Sequence, residues 1–455
     1  MRDSQIVFLG AGKANVVVDL PIADLPSAPS SLRTSAAKMQ RIALRVRRAA
    51  HKECAECYRA LRAYAGCRDV ITLGPALYNA IEAVVPPTHR KLITGATEAT
   101  VVPNFASIPA HLLRVDVTAA EARGRAVDYA VEVKPKGAWQ SPQVVGIVVD
   151  GETYWVEEAK RRHCRYGQMR CYKDVRDAKK DELPATMASA PPAHTEKTSS
   201  PSLPYCPNYL FRTSLSTREG LRRLMHSPQN NLKVVRCCPS GAQSPGGDPT
   251  MTTLTVSELC GVADAIDASG VLTPLSHLQL CGCAPPAADE PADVAADKQL
   301  PVLDVALLYR WSLAKDKDAV EWIMLPGDPA AHCSCTAPDT FSRALKVDEA
   351  RRVRPMLDYE TCKERFYVST TARDVSLIIA VSSRRGAPDA STACSRLTGV
   401  PADVGGVFVQ RGPDVYRVGV VDLDDKKHKT LHHYYLHDRE IVEAFLNQHR
   451  TSLTK

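Results

Sequence analysis

The chain has 455 residues, 44% hydrophobic and 24% charged, a globular composition long enough for two or three domains. Its 58 basic and 51 acidic residues leave a formal charge of +7, which suits an anionic ligand but is too small by itself to mark a DNA-binding protein. The 15 cysteines are odd in number and scattered, which argues against a disulfide framework and for a reducing cytosol or nucleus. The first ten residues lead into a strand with no signal-peptide core, and apolar runs such as 375–381 are too short to span a bilayer.

Residues 5–20 predict strand, tight turn and strand around Gly10-Ala-Gly12-Lys-Ala-Asn15. A dinucleotide-binding fingerprint needs a helix after its glycines, and here Val16, Val17 and Val18 are strand formers. A glycine hairpin over nucleotide phosphates fits better, with an unliganded glycine turn as the plain alternative. Residues 39–48 predict a strand, with Ile42, Leu44 and Val46 alternating with Arg45 and Arg47. A helix is expected over 52–64, where Cys54 and Cys57 suit core packing better than metal or redox chemistry, and another over 75–84. In Tyr129-Ala-Val-Glu-Val-Lys-Pro-Lys136, the alternation of Val131 and Val133 with Glu132 and Lys134 is strand spacing, and Pro135 should end the ladder. In an extended chain Lys134 and Lys136 share a side and repel each other unless an anion lies between them; two solvated lysines at a strand end are the alternative.

A further strand is expected at 144–150. Residues 155–176 are basic, through Lys160, Arg161, Arg162, Arg165, Arg170, Lys173 and Arg176, which fits a solvated helix face or a nucleic-acid patch. Stretches 177–203, 239–249 and 284–299 read as flexible low-complexity insertions. Between and after them a helix is expected at 252–269 and a helical pair at 303–323. Residues 365–369 predict a strand, 370–373 a turn and 375–382 an apolar strand, followed by paired strands at 407–410 and 416–421 with Asp422 at their end. Asp438 is expected to N-cap a final helix with Val442, Phe445, Leu446 and His449 inside.

A glycine hairpin, a cation on the next strand, several lysines and arginines, and two aspartates are the parts of a phosphoryl-transfer site. Such transfer needs positioning and charge neutralisation more than covalent chemistry. One aspartate would hold magnesium and another would accept the proton of the attacking hydroxyl. The chain has no His-Arg-Asp loop, no Asp-Phe-Gly and no Walker A sequence, so it is neither an ordinary protein kinase nor a P-loop enzyme.

Five segments in order resemble the inositol-pentakisphosphate 2-kinases: Gly10-Ala-Gly-Lys-Ala-Asn15, Glu132-Val-Lys-Pro-Lys136, Ser227-Pro-Gln-Asn-Asn-Leu-Lys233, Ser369-Thr-Thr-Ala-Arg-Asp374, and Val421-Asp-Leu-Asp-Asp-Lys426 with Tyr434-Tyr435 and Asp438. The resemblance implies an α+β, two-lobed kinase-like fold. Its N-terminal lobe (1–133) would hold the hairpin, and its enlarged C-terminal lobe (134–455) would bind substrate. It implies ATP-dependent phosphorylation of the 2-hydroxyl of inositol 1,3,4,5,6-pentakisphosphate, by a monomer, with ATP and magnesium as cofactors. On nucleotide it would set Gly10, Gly12, Asn15, Arg45 (in place of the usual kinase lysine) and Asn230. Lys134 would join Asp374 as base and Asp422 as magnesium ligand in catalysis. Lys136, Arg165, Lys173, Asn231, Lys233, Lys426, Lys429 and Tyr434 would bind the substrate's phosphates, each of which wants one or two Lys or Arg partners.

The chain departs from the family pattern at Ala11, at Gln168-Met-Arg170, at Tyr209, at Lys427 and at Thr430. A structural zinc on Cys333, Cys335 and His332, with Cys281, Cys283 or His277 upstream, is weighed against reduced loop cysteines. A catalytically impaired inositol-phosphate-binding scaffold is the alternative function. A nucleic-acid-binding protein is disfavoured, because only Tyr166 and Tyr172 interleave the basic stretch.

Overall fold

The computed structural model describes residues 6–11, 16–21, 41–47, 53–66, 69–105, 108, 112, 128–181, 205–212, 216–226, 228, 230–236, 253–325, 333, 335, 349–383, 393–398, 400 and 405–453. Among them the strands pair antiparallel and helices fill separate stretches, which makes the chain α+β. None of the described helices is long and apolar enough to cross a membrane. The chain divides into two compact units: Met1–Lys134, Gln229–Leu272 and Val375–Asp424 form one, and Pro135–Pro228, Thr273–Asp374 and Asp425–Lys455 the other.

The first unit holds two sheets. In one, Val7–Ala11, Val16–Pro21, Arg41–Val46, Glu98–Val102 and Asp69–Thr72 lie in that order. Val16, Val18 and Leu20 and, opposite them, Ile42, Leu44 and Val46 are all at most 1% exposed. Burying side chains of this size contributes about 1.5–3 kcal/mol each, so this face anchors the sheet. The expected hairpin is present as two strands, while its turn, with Gly12 and Asn15, lies outside the described residues. The expected helix at 52–64 is two short ones, Ala55–Ala60 and Arg62–Ala65, broken at Leu61; Cys54 and Cys57 are both buried, as core packing requires. The helix Pro75–Val84 begins and ends where expected.

The other sheet runs Cys394–Arg396, Val407–Arg411, Asp414–Val421, Ser376–Ser383, Tyr129–Val133 and Leu232–Arg236. Tyr129–Val133 therefore sits inside the sheet, with Glu132 opposite both Ile378 and Lys233. The helix Val256–Ser269 belongs to this unit and starts at a capping box of Thr255 and Glu258.

In the second unit the sheet order is Arg351–Val353, Glu321–Met324, Val144–Val149 and Glu152–Trp155. Three expectations are corrected here. Residues 303–323 are not a helical pair: Asp304 caps Val305–Ser312, and the chain then enters the strand Glu321–Met324. Residues 365–369 are not a strand but part of the helix Tyr359–Ala372, capped by Asp358. That helix buries Tyr359, Cys362, Phe366, Tyr367 and Val368, so its run 366–368 shows no one-sided helical period. Asp438 is not an N-cap: the Thr430 hydroxyl accepts from His433 N, the final helix is Leu431–Leu453, and Asp438 lies two turns inside it. Val442 and Phe445 are buried, but Leu446 and His449 are exposed.

The basic stretch forms the helices Glu158–Arg162 and Arg165–Asp181, the second reaching into the expected insertion at 177–203. Of the other insertions, 239–249 lies outside the described residues. Within 284–299 a helix, Ala292–Lys298, forms, with Lys298 paired to Glu290 at 2.6 Å.

Candidate active site

In the first unit a charged cluster gathers at the ends of three strands. Arg45 comes from Arg41–Val46, Glu132 and Lys134 from the end of Tyr129–Val133, and Asp422 from the residue after Asp414–Val421. Asp422 has φ 66, a left-handed conformation that non-glycine residues adopt at a cost of about 1–3 kcal/mol. The turn brings its carboxylate to Ser376, whose buried Oγ lies 3.0 Å from Glu132 Oε1 and 3.0 Å from Asp422 Oδ2. Its one proton serves one carboxylate at a time. Lys134 Nζ stands 3.6 Å from Glu132 and 3.8 Å from Asp422, and Lys233 Nζ 3.5 Å from Glu132. Arg45 Nη2 reaches Asp422 at 3.4 Å and Asp424 at 2.9 Å. Carboxylates interleaved with lysine and arginine offer a hard cation its oxygens and a polyphosphate its counter-charges.

The second unit holds a further group of candidate residues. Asp374 follows the helix Tyr359–Ala372 and is half exposed. Lys426 Nζ lies 2.8 Å from its Oδ2, and Lys136 Nζ 3.8 Å from its Oδ1. Lys136 has φ 65, so the regular extended geometry expected across Lys134-Pro-Lys136 ends before it. The two lysines contact different carboxylates, Lys134 those of Glu132 and Asp422 and Lys136 that of Asp374. Tyr434 OH donates to the Lys426 carbonyl at 3.2 Å, which ties the final helix to this segment; burial raises the Tyr434 pKa.

Arg165 starts its helix 2.9 Å from Asp438, and Lys160 lies 2.6 Å from Asp438, 2.9 Å from Asp304 and 2.9 Å from Glu157. Burial pulls the Lys160 ammonium toward neutrality. Asp304, Asp438 and Glu157 outweigh it and hold the pKa above the ordinary lysine range. Arg373, just before Asp374, is lowered to about 10, first by burial and then by Arg165.

Cysteines form a separate cluster in this unit. The sulfurs of Cys164, Cys206, Cys333 and Cys335 all lie within 4.8 Å of one another. Two of the separations are 3.7 Å (Cys164–Cys335) and 3.8 Å (Cys164–Cys206). A tetrahedron of ~2.3 Å zinc–thiolate bonds has edges of about 3.8 Å, so the set fits a structural zinc. Backbone N–H groups of Cys164 and Cys335 donate to Cys333 Sγ, and Gly167 N donates to Cys164 Sγ, as sulfurs carrying negative charge would want. A Cβ on Gly167 would stand 3.1 Å from Cys335 Sγ, which favours glycine there.

Of the remaining expected site residues, Gly10 lies in the strand Val7–Ala11 opposite Val17. Asn230 is exposed in a turn, whereas Asn231 is buried and its carbonyl accepts from Lys134 N at 2.8 Å. Lys173 and Lys429 are exposed, Lys429 accepting from Tyr367 OH through its carbonyl. Cys333 and Cys335 meet Cys164 and Cys206 rather than Cys281, Cys283 or His277; His332 lies outside the described residues. Cys281 and Cys283 instead face the carbonyls of Gln299 and Lys298. Sequence reasoning passed over Ser376, Cys164 and Cys206 as site residues, and weighed Asp424 only as solvated or as assisting with metal. Cys164 stands beside Arg165, already a substrate candidate, and Cys206 three residues before the departure at Tyr209, which was a usable signal; a single serine in an apolar strand gave none.

The family profile described as inositol-pentakisphosphate 2-kinase matches residues 8–440. No curated protein matches the chain.

Proposed function

The chain belongs to the inositol-pentakisphosphate 2-kinase family, and from that membership we propose that it transfers the γ-phosphoryl group of ATP to the 2-hydroxyl of inositol 1,3,4,5,6-pentakisphosphate, giving the hexakisphosphate. The observation that carries the reading is Asp374, an exposed carboxylate flanked by two lysines at the matched motif positions. Asp374 takes the proton of the attacking hydroxyl, and Lys136 and Lys426, beside it, neutralise phosphate oxygens of the substrate. Lys134 and Arg45 serve the nucleotide phosphates, with Gly10, Gly12, Asn15 and Asn230 along the nucleotide. Arg165, Lys173, Asn231, Lys233, Lys429 and Tyr434 complete the substrate's contacts. Magnesium on Asp422, with oxygens of ATP, would supply charge neutralisation at the transferred group. In this reading the fold is the two-lobed kinase type, and zinc on Cys164, Cys206, Cys333 and Cys335 is structural.

The test is incubation with ATP, magnesium and the pentakisphosphate, with products separated by charge. Wild type should form hexakisphosphate. Asp374→Asn should cut kcat by orders of magnitude and keep pentakisphosphate binding. Binding by the wild type without turnover would replace the kinase by the scaffold reading, and no binding of any inositol phosphate would sink both.

A further inference from the structure

Gln279 is a fully buried polar residue near the end of the helix Leu272–Cys281, at 0% exposure. Its side-chain amide has one acceptor and two donors to satisfy. The oxygen accepts from Ala138 N at 2.7 Å. The nitrogen donates to the Lys136 carbonyl at 2.9 Å and to the Ala372 carbonyl at 2.9 Å. One side chain thus joins the backbone that carries Lys136 to the backbone two residues before Asp374. The groups it satisfies are all backbone groups, and no helix or sheet ladder supplies them.

The same stretch is pinned from a second direction. A Cβ on Gly137 would stand 3.1 Å from Arg373 Cγ, so the 136–138 backbone lies directly on the Arg373 side chain. Arg373 Nη2 in turn donates to the Gln279 carbonyl at 3.3 Å. Lys136 needs this support because its φ of 65 is one that a lysine seldom adopts without surroundings that fix it.

We propose that Gln279 is a positioning residue for the transfer chemistry: its amide fixes the Lys136 segment against the end of the helix that presents Asp374, and so sets the ammonium and the carboxylate at their working separation. The proposal rests on the kinase reading above. Gln279 touches no reacting atom. Its effect passes through Asp374, which takes the proton, and through Lys136, which holds substrate phosphate beside it, so its loss should lower kcat and leave the KM for ATP unmoved.

The test compares two variants with wild type in steady-state kinetics with ATP and the pentakisphosphate. Gln279→Met keeps the volume and removes the three hydrogen bonds. Ser369→Ala removes a hydrogen bond of 2.6 Å onto the carbonyl of the same Gln279 and leaves the amide alone, so it reports on local stability only. Gln279→Met should lower kcat at least tenfold while the KM for ATP stays within about twofold. Ser369→Ala should lower Tm and leave kcat near wild type. Wild-type kcat in folded Gln279→Met, or equal kcat losses in both variants, would overturn the proposal. If Gln279→Met does not fold, Gly137→Ala takes its place, because it pushes the same backbone off Arg373; it should lower kcat with the KM for ATP held, and an unchanged kcat there is equally fatal. A wild type that makes no hexakisphosphate defeats the kinase reading instead, and shows itself before any variant is compared.

Discussion

Asp424 holds Arg45 by both terminal guanidinium nitrogens, Nη1 at 3.2 Å and Nη2 at 2.9 Å. The same carboxylate also takes Arg47 Nη2, at 2.6 and 2.8 Å. Arg45 lies in the strand Arg41–Val46 and Arg47 just past its end; both guanidiniums reach the one carboxylate and repel each other. Burial, and then Arg45, lowers the Arg47 pKa. Asp424 is fixed in turn by a bridge to Glu53, beside the hydrogen bond from Cys54 N to the Leu423 carbonyl at 2.9 Å.

Replacing Asp424 by Asn should therefore leave two buried cations short of a counter-charge. Removing one partner of a buried pair costs about 3–5 kcal/mol. A urea melt should show a loss of this size for Asp424→Asn, and a smaller one for the charge-balanced double variant Asp424→Asn with Arg47→Met. Equal losses in the two would show that the shared carboxylate is not what neutralises the arginines.

Lys160 binds three carboxylates from three separate stretches of the second unit, and Asp438 passes part of that charge to Arg165. Lys160→Met should destabilise the protein by about 3 kcal/mol, since Asp304 and Asp438 are left together with little compensation. Asp438→Asn should be milder in denaturation, because the amide still bonds to Lys160. It should nonetheless raise the KM for the inositol phosphate, because Arg165 loses its anchor. An unchanged KM would take Arg165 off the substrate.

If the four cysteines hold zinc, protein purified without chelator should carry about one zinc per chain by elemental analysis. Cys206→Ser should lose that metal and lower Tm, and so should prolonged chelation of the wild type. Cys281→Ser, outside the cluster, should change neither the metal content nor the effect of chelator. Protein that contains no zinc and is indifferent to chelator would return these residues to reduced, buried thiols.

Glu258 accepts from Thr255 N and pairs with Arg236 at 2.8 Å, and the Arg236 hydrogen bond is the main reason its pKa falls to about 2. A carboxylate with a depressed folded pKa binds fewer protons folded than unfolded between about pH 2 and 4.5, so stability rises with pH across that window. The contribution is complete above the unfolded value and is lost as pH falls toward 2. Glu258→Gln should lower stability at pH 7 and flatten the acid limb of the stability curve. Identical acid limbs for variant and wild type would remove this pair from the account.

The strands and several helix starts were legible because their signals are local. Alternating valines marked Tyr129–Val133, and the helix Pro75–Val84 was placed at both ends. The misreadings share one cause. Phe366-Tyr367-Val368 looks like a strand, and only the Asp358 cap and burial around the helix make it helical. Asp438 looks like a cap because it is an acid before an apolar stretch, but its carboxylate answers to Lys160 and Arg165, more than 270 residues upstream.

By itself the sequence determined the α+β class, the family resemblance and the identity of the charged residues, since motif order and hydrophobic period are written along the chain. It could not say which charge meets which. That Lys134 lies with Asp422 and Lys136 with Asp374, that one carboxylate serves Arg45 and Arg47, and that Cys164 and Cys206 join Cys333 and Cys335 were decided only by the tertiary structure. Ion pairs and metal-type clusters depend on distances of 3–4 Å between residues far apart in the chain, and those distances exist only once sheets and helices have packed.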